Sequence, residues 1–371
     1  DEHPQLKGWV DANRVVMERL TEATRKTQYF YPLTVPEEDN GLLISALLEL
    51  PQSSREAARL LSMRAMNHLA NDRVDECLDD LVTTRKLARL ISTRSTLVEH
   101  LVGIAIEGIA VDAEKAVIGS SKLTRAQIAD YLGRVNERVA FNDLAESIDK
   151  VERFMGLSAT QHMHQFGPGA LSMDAATDAI PWSVAFDIDI AMGMMNQHYD
   201  MIMVWVSEDT FTAKQEGGNE FERYLMEFEV ELTSPMRIAT AALGGRRTRG
   251  DFIGSVMVAM LLPAINQLVA ADTRREALDR MSRLGFQLED HRLRNGEFPE
   301  SLDVLDLPVD SKLATDPFTG ELLVYEKTES GFRLYSLGSN RKDDGGLGWN
   351  DDNPPPRADD WHFEVGVTAD Q

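Results

Sequence analysis

The chain has 371 residues, of which 43% are hydrophobic and 27% are charged, a composition typical of a soluble globular protein of about two or three domains. Its formal net charge is −23 at pH 7, so a phosphate backbone would repel it and we expect no nucleic-acid binding. The one cysteine, Cys77, excludes an intramolecular disulfide and a zinc site made of several thiolates.

The first fifty residues predict helices broken by prolines. Apolar spacing predicts an amphipathic helix within Pro4–Phe30 and a short apolar helix over Gly41–Leu50, closed by Pro51. Ser53, followed three residues later by Glu56, is typical of a capping box and predicts the start of a long helical block.

The helical block contains a predicted hairpin. Small and apolar residues flank Asn71-Asp72, where we expect a turn between two closely packed helices. This hairpin resembles a single tetratricopeptide repeat, without the Trp, Tyr and closing Pro positions of that family. Leu97–Val117 is apolar nearly all round and predicts a central core helix, and Thr124 with Gln127 predicts the N-cap of the next helix. We assign residues 1–140 to a helical-hairpin, repeat-like domain.

Residues 141–250 predict further helices separated by glycine-rich and methionine-rich segments. A long helix over Asn142–Gln165 should stop at Gly167. The Met-rich stretch Met192–Met203, within the apolar segment Trp182–Phe211, suits either a helix core or an adaptable binding surface, and the core is favoured. We expect Gly217-Gly218 to interrupt the next helical pattern, and Gly244–Gly250 to form an exposed basic linker.

Phe252–Ala271 is a stretch of 20 residues without a charge. Its length and the preceding arginines fit a membrane span, whereas its polar residues and the charged helix that continues from it favour a buried core helix. We favour the core helix.

After Gly296 the pattern changes from helix to strand. Strands are predicted at Leu322–Glu326, Gly331–Ser336 and Trp361–Val367. The predicted fold class is therefore mostly α: a helical-hairpin array, then a long helix and a small C-terminal antiparallel β-module over residues 251–371.

Four short motifs of this last region occur in the order found in one family. The long apolar helix is followed by Arg294–Pro299, then by Asp316-Pro317-Phe318, and then by a hairpin that ends in Tyr335–Gly338. This region, Phe252–Val365, resembles the major pseudopilin of type II secretion. It departs from that family because its apolar helix is internal, so the chain is not expected to assemble into a pilus. The resemblance implies an extracytoplasmic location and a calcium-binding loop.

Carried over by position, the resemblance implies a particular set of calcium ligands. They are the Leu337 carbonyl, the Asn340 side chain, an acid at Asp343 or Asp344, and an acid at Asp359 or Asp360. Calcium takes six to eight oxygen ligands of these kinds. A solvated acidic loop without metal has the same composition, and the sequence leaves that alternative open.

Two functions from different classes follow. The first is a non-enzymatic extracytoplasmic interaction or scaffold protein, with a helical surface for a protein partner and a calcium-stabilised C-terminal module. The alternative is a hydrolase or metalloenzyme whose site is assembled from Glu99, Glu107, Glu152 and His162 in the helical domain. A membrane attachment through a segment removed before Asp1 is compatible with either.

Overall fold

The computed structural model describes residues 8–10, 12–26, 28–46, 49–93, 95–137, 141–167, 186–262, 265–307, 311–351 and 354–366. It confirms the predicted fold class, mostly α with a small three-stranded antiparallel sheet near the C-terminus. The helices are α1 Arg14–Ala23, α2 Glu49–Ala70, α3 Val74–Ser92, α4 Leu97–Gly119, α5 Arg125–Asn136, α6 Arg153–Phe166, α7 Ile188–Val206, α8 Phe211–Leu232, α9 Pro235–Leu243, α10 Arg246–Leu261 and α11 Ile265–Asn295. The strands are β1 Val324–Lys327, β2 Gly331–Ser336 and β3 Trp361–Gly366.

Several helix ends lie where local side chains satisfy the free backbone groups. Thr124 and Gln127 form the predicted capping box at the start of α5, and Thr96 forms a second one with Glu99 at the start of α4. The α2–α3 turn contains Asp72 in the left-handed region, with φ of 57°. The predicted hairpin around Asn71-Asp72 is therefore confirmed. A π-helical segment, Ser147–Glu152, leads into α6.

Two predicted helix breaks are wrong. Pro51 does not close a helix; it lies in the first turn of α2, where its missing N–H removes no hydrogen bond, so the helix begins before the predicted cap at Ser53. Gly217 and Gly218 do not interrupt α8 either. A Cβ at Gly217 would lie 2.3 Å from the Cβ of Trp205, so close packing of α7 on α8 explains the glycine better than a turn does.

The C-terminal sheet packs on the helical body and shares its core. Strand order is β1-β2-β3, and Phe332 and Leu334 of β2 face Val365 and Phe363 of β3 in register. All four side chains are buried in one apolar cluster that continues through α11, α4 and α3. Two glycines allow the close approach: a Cβ at Gly119 of α4 would lie 2.9 Å from the Gly366 carbonyl, and one at Gly285 of α11 would lie 2.8 Å from the Phe363 ring.

A buried ionic network joins α3, α4 and α11. The Arg85 guanidinium of α3 is 1% exposed and donates to both carboxylate oxygens of Glu114, at 2.8 and 2.6 Å. It also donates to Glu107 and to Asp279, each at 2.9 Å. Tyr131 of α5 and Ser282 of α11 donate further hydrogen bonds to Glu114. One guanidinium thus connects carboxylates from two other helices.

The charges of this network hold one another ionised. Burial alone would raise the pKa of Glu114, yet Arg85 more than offsets this and the pKa of Glu114 is lowered. Burial likewise opposes ionisation of Asp272 on the same face of α11, but Arg275 and His100 lower its pKa to about 2. Such carboxylates stabilise the fold above about pH 4 and lose this contribution as the pH falls below that value.

We expect Arg85→Met to lower the free energy of unfolding by about 3–5 kcal/mol, because it leaves buried carboxylates without their cation. Urea unfolding followed by circular dichroism measures the change. Arg125→Met is the matched control: Arg125 forms an exposed pair with Asp290, so its removal should cost at most about 1 kcal/mol. Equal losses for the two variants would contradict a central role for Arg85.

Candidate metal centre

The segment between β2 and β3 is an acidic loop anchored at its start by a buried carboxylate. Asp316 is 1% exposed and accepts from the Phe318 N–H at 2.9 Å, the Ser336 hydroxyl at 2.8 Å and the Leu337 N–H at 3.0 Å. The Asp-Pro-Phe motif therefore has a structural use, because it ties the turn before β1 to the end of β2. The acidic loop begins after Leu337, whose N–H is held by Asp316.

Within the loop, three carboxylates converge. Asp344, Asp359 and Asp360 each place one oxygen within 4.8 Å of the others. In the described parts of the chain they form the one group of three or more His, Cys, Asp and Glu ligands with this spacing. Two oxygens on opposite sides of one calcium ion lie about 5 Å apart, since Ca–O distances are 2.3–2.6 Å, so the three fit a single coordination sphere.

Asp360 is the most informative member of this acidic cluster. Its side chain is 2% exposed, and its Oδ2 accepts from the Asp344 and Gly346 N–H groups, both at 2.9 Å. Its Oδ1 is buried and has no hydrogen-bond partner in the structure. Burial raises the pKa of Asp360 to about 6. A buried carboxylate oxygen without a donor is costly unless a proton or a cation satisfies it.

Asp359 and Asn340 form hydrogen bonds within the acidic loop beside Asp360. Burial also raises the pKa of Asp359, whose Oδ2 accepts from the Asn340 N–H at 3.1 Å. The Asn340 amide donates to Asp344 at 2.8 Å and to the Arg357 carbonyl at 3.0 Å, while its oxygen accepts from the Lys342 N–H. The Asn340 oxygen therefore faces its own turn, and a metal bond from it requires the amide to rotate.

Of the residues predicted as ligands, the structure brings together Asp344, Asp359 and Asp360 and places Asn340 beside them. Asp343 lies outside the group, because its carboxylate accepts from the Tyr335 hydroxyl at 3.2 Å and from the Gly345 N–H at 2.9 Å. Between the two acids that the sequence left open, the geometry favours Asp344. The Leu337 carbonyl stays a predicted ligand.

The residues of the alternative metalloenzyme site have structural partners. Glu99 caps its own helix by accepting from the Thr96 N–H at 2.8 Å, and Glu107 pairs with Arg85. The His162 ring packs on Phe166 with centroids 4.6 Å apart. Burial raises the pKa of Glu152, which a hydrogen bond from the Leu97 N–H partly offsets. These contacts give the alternative no support.

The apolar stretch near Phe252 is packed inside the protein. By length and composition, the helical stretch 246–295 contains a window that could cross a membrane, but 73% of that window is buried. Phe252, Val258 and Leu268 are among its buried side chains. This favours the interpretation of the stretch as core helix, now divided between α10 and α11.

No known family model, curated protein or solved structure matches this chain. The resemblances to pseudopilins and to tetratricopeptide repeats therefore stay predictions from the motifs, and the geometry of the loop has to support any function on its own.

We expect Asp360→Asn to stabilise the cation-free protein at pH 7. The Asn oxygen can accept from the same two N–H groups, while the buried charge on Oδ1 is replaced by a neutral amide. For the unaltered protein, a pKa of about 6, raised from 3.8, makes folding take up a proton, so Asp360 contributes more stability as the pH falls from 7 to 5.

Urea unfolding in chelator at pH 7 and pH 5 tests this prediction. The difference in unfolding free energy between the unaltered protein and Asp360→Asn isolates the contribution of this one carboxyl, because other titrating groups are common to both. The advantage of the variant should shrink at pH 5. A variant that is less stable at both pH values would show that the buried charge is already satisfied.

Proposed function

We propose that this chain is a non-enzymatic, extracytoplasmic interaction protein whose C-terminal β-module is stabilised by calcium. The observation that carries the proposal is the Asp360 carboxylate: its buried Oδ1 has no donor, and one of its oxygens lies within 4.8 Å of oxygens of Asp344 and Asp359. A cation at this point would satisfy the free oxygen and lower the mutual repulsion of Asp344, Asp359 and Asp360.

The donor chemistry supports calcium over other metals. Asp344, Asp359 and Asp360 offer carboxylate oxygens, and the group contains no sulfur or imidazole, the ligands that zinc usually takes in protein sites. Magnesium demands a near-ideal octahedron with bonds of about 2.0–2.1 Å and keeps several waters. A looser loop with carboxylates and main-chain carbonyls suits the longer and more variable bonds of calcium.

Calcium would join the two ends of the acidic loop. Asp344 follows β2, whereas Asp359 and Asp360 directly precede β3. An ion held by all three residues closes the loop. Calcium binding would therefore favour both the ordered loop and the pairing of β3 with β2. Since β3 also packs on α4 and α11, binding would favour the docked position of the module on the helical body.

The proposed extracytoplasmic location is the one that the pseudopilin resemblance implies, and a calcium site is compatible with it. Extracellular calcium modules typically have dissociation constants of about 10⁻⁴–10⁻³ M, which suits compartments where calcium is abundant. The lone cysteine, Cys77, is buried, and burial raises the pKa of its thiol to about 12, so it is not a reactive thiol in an oxidising compartment.

Exposed apolar side chains on the helical body support the interaction role. Val204 of α7, Val230 of α8, and Met236 and Leu243 of α9 are between 72% and 90% exposed. These side chains lie on three helices that follow one another in the chain, of which α8 contacts both α7 and α9, and exposed apolar patches are a common feature of protein-binding surfaces. Partner capture by the full chain, compared with a Met236→Gln and Leu243→Gln double variant, tests this half of the proposal. Equal capture by both would contradict it.

Calcium is expected to stabilise the protein by about 1.4–2.7 kcal/mol at 10 mM, if the dissociation constant lies between about 0.1 and 1 mM. Urea unfolding in calcium and in chelator, followed by tryptophan fluorescence and circular dichroism, measures this difference. At pH 5 the effect should be smaller than at pH 7, because protons compete for Asp360, whose pKa is about 6.

Two variants locate the effect. Asp360→Asn should abolish the calcium response, whereas Asp343→Asn should keep it, because the Asp343 carboxylate lies outside the group of three. Both changes remove one negative charge from the same loop, so they are matched. No stabilisation of the unaltered protein by calcium, or equal loss in the two variants, would refute the proposed metal centre.

A further inference from the structure

A second feature of the molecule lies between α4, α11 and the first residue of β3. A cavity of ≈200 Å³ opens there, lined mainly by apolar atoms. Its apolar walls are Leu101, Ile104, Val111, Leu278 and the Trp361 ring. At about 30 Å³ for each water-sized group, the cavity accepts a body of roughly six or seven such groups.

The lining of this cavity carries one positive charge that has no acid partner. The Arg274 guanidinium lies over the Trp361 ring, 4.5 Å from its centroid. Among the described residues no carboxylate forms an ion pair with it. Burial lowers the pKa of Arg274, and no neighbouring acid opposes that effect. The two other charges of the lining, Arg275 and Glu107, contact each other at 3.4 Å. The lining therefore has one uncompensated cation in a chain of net charge −23.

Such a pocket selects its ligand by two properties at once. A guanidinium that contacts an aromatic ring through cation–π attraction still has N–H donors, and these can bind a carboxylate through two parallel hydrogen bonds. The apolar walls favour an aliphatic body and disfavour a fully hydrated anion such as inorganic phosphate. A ligand without the apolar body would lose the burial between the helices, and a ligand without the acid group would lose the pairing with Arg274.

We propose that this cavity binds a small aliphatic carboxylate, with its acid group on Arg274 and its apolar body between α4 and α11. The same chemistry occurs in a free branched-chain or short-chain acid and in the C-terminal residue of a polypeptide that ends in an apolar side chain. The proposal uses residues outside the acidic loop and does not depend on calcium binding.

Gly108 allows the cavity to be filled without disturbing the fold. It lies on α4 in the cavity lining, and a Cβ at this position would meet no atom within 4 Å. Gly108→Leu should therefore place its side chain in the cavity, and it replaces a glycine in a helix interior by a good helix former. The unfolding midpoint of this variant should be unchanged or higher, while ligand binding is lost.

Ligand-observed NMR titration of the full chain in calcium buffer tests the proposal. The probes are 4-methylpentanoate, its neutral analogue 4-methylpentanamide, and N-acetyl-leucine as a mimic of a chain terminus. We expect saturable binding of an acid with a dissociation constant on the order of 0.1–1 mM, at least about tenfold tighter than the amide. Tighter binding of 4-methylpentanoate would identify a free acid as the ligand, and tighter binding of N-acetyl-leucine a chain terminus.

Three variants decide the role of the named residues. Arg274→Gln should weaken acid binding at least about tenfold and remove the preference over the amide. Arg294→Gln, the same change on the same helix at an arginine already paired with Asp290, should have no effect. Gly108→Leu should abolish binding of both acids. The proposal is overturned if neither acid binds saturably, if acid and amide bind equally, or if Arg274→Gln binds as the unaltered protein does.

Discussion

The structure depends first on the burial of one positive charge. Arg85 lies at 1% exposure where α3, α4 and α11 meet, and it is tolerable there only because Glu107, Glu114 and Asp279 surround it. Glu114 in turn depends on the Arg85 guanidinium for its charge balance, whereas Glu107 and Asp279 also pair with Arg275 and Arg283. The helices can therefore adopt this arrangement only together, and a shift of one of them would leave an unpaired buried charge. We call this meeting point of α3, α4 and α11 around Arg85 the ionic junction, and the other elements pack around it.

The C-terminal module depends on that junction through its docking surface. The sheet rests on α4 and α11, two of the helices that Arg85 connects, and Gly119 and Gly285 let β3 approach them closely. The loop before β3 and the cavity beside Trp361 are thus both positioned by the same pair of helices. This places the proposed metal centre and the proposed carboxylate site at consecutive residues, Asp360 and Trp361, while their chemistry stays separate.

Two buried carboxylates illustrate how surroundings decide the chemistry of one residue type. Burial acts on Glu114 and on Asp360 in the same direction. Arg85, Tyr131 and Ser282 satisfy Glu114 completely, and its pKa is lowered. Asp360 receives two N–H donors on one oxygen and none on the other, and its pKa is raised to about 6. The first group stabilises the fold as it stands, and the second is suited to take up a proton or a cation.

Local signals in the sequence predicted the features that depend on neighbouring residues. The capping box of Thr124 and Gln127, the turn at Asn71-Asp72 and strand β2 at Gly331–Ser336 lie where expected, since each rests on hydrogen bonds or pairing within a few residues. The breaks predicted at Pro51 and at Gly217-Gly218 were wrong. A glycine that accommodates Trp205 of another helix has the same sequence signature as a glycine in a turn.

For the candidate site, too, some features could be predicted from the sequence and others required the folded structure. The sequence by its own patterns predicted that the chain is helical with a small β-module. It also showed that acidic side chains are concentrated between β2 and β3 and that the chain is strongly acidic. The folded structure was needed to show that Asp344 rather than Asp343 joins Asp359 and Asp360. It was also needed to show that Arg85 is buried among acid partners, whereas Arg274 is half-buried and lies over the Trp361 ring without one. The physical reason is that burial and pairing belong to contacts between distant segments, which residue order does not record.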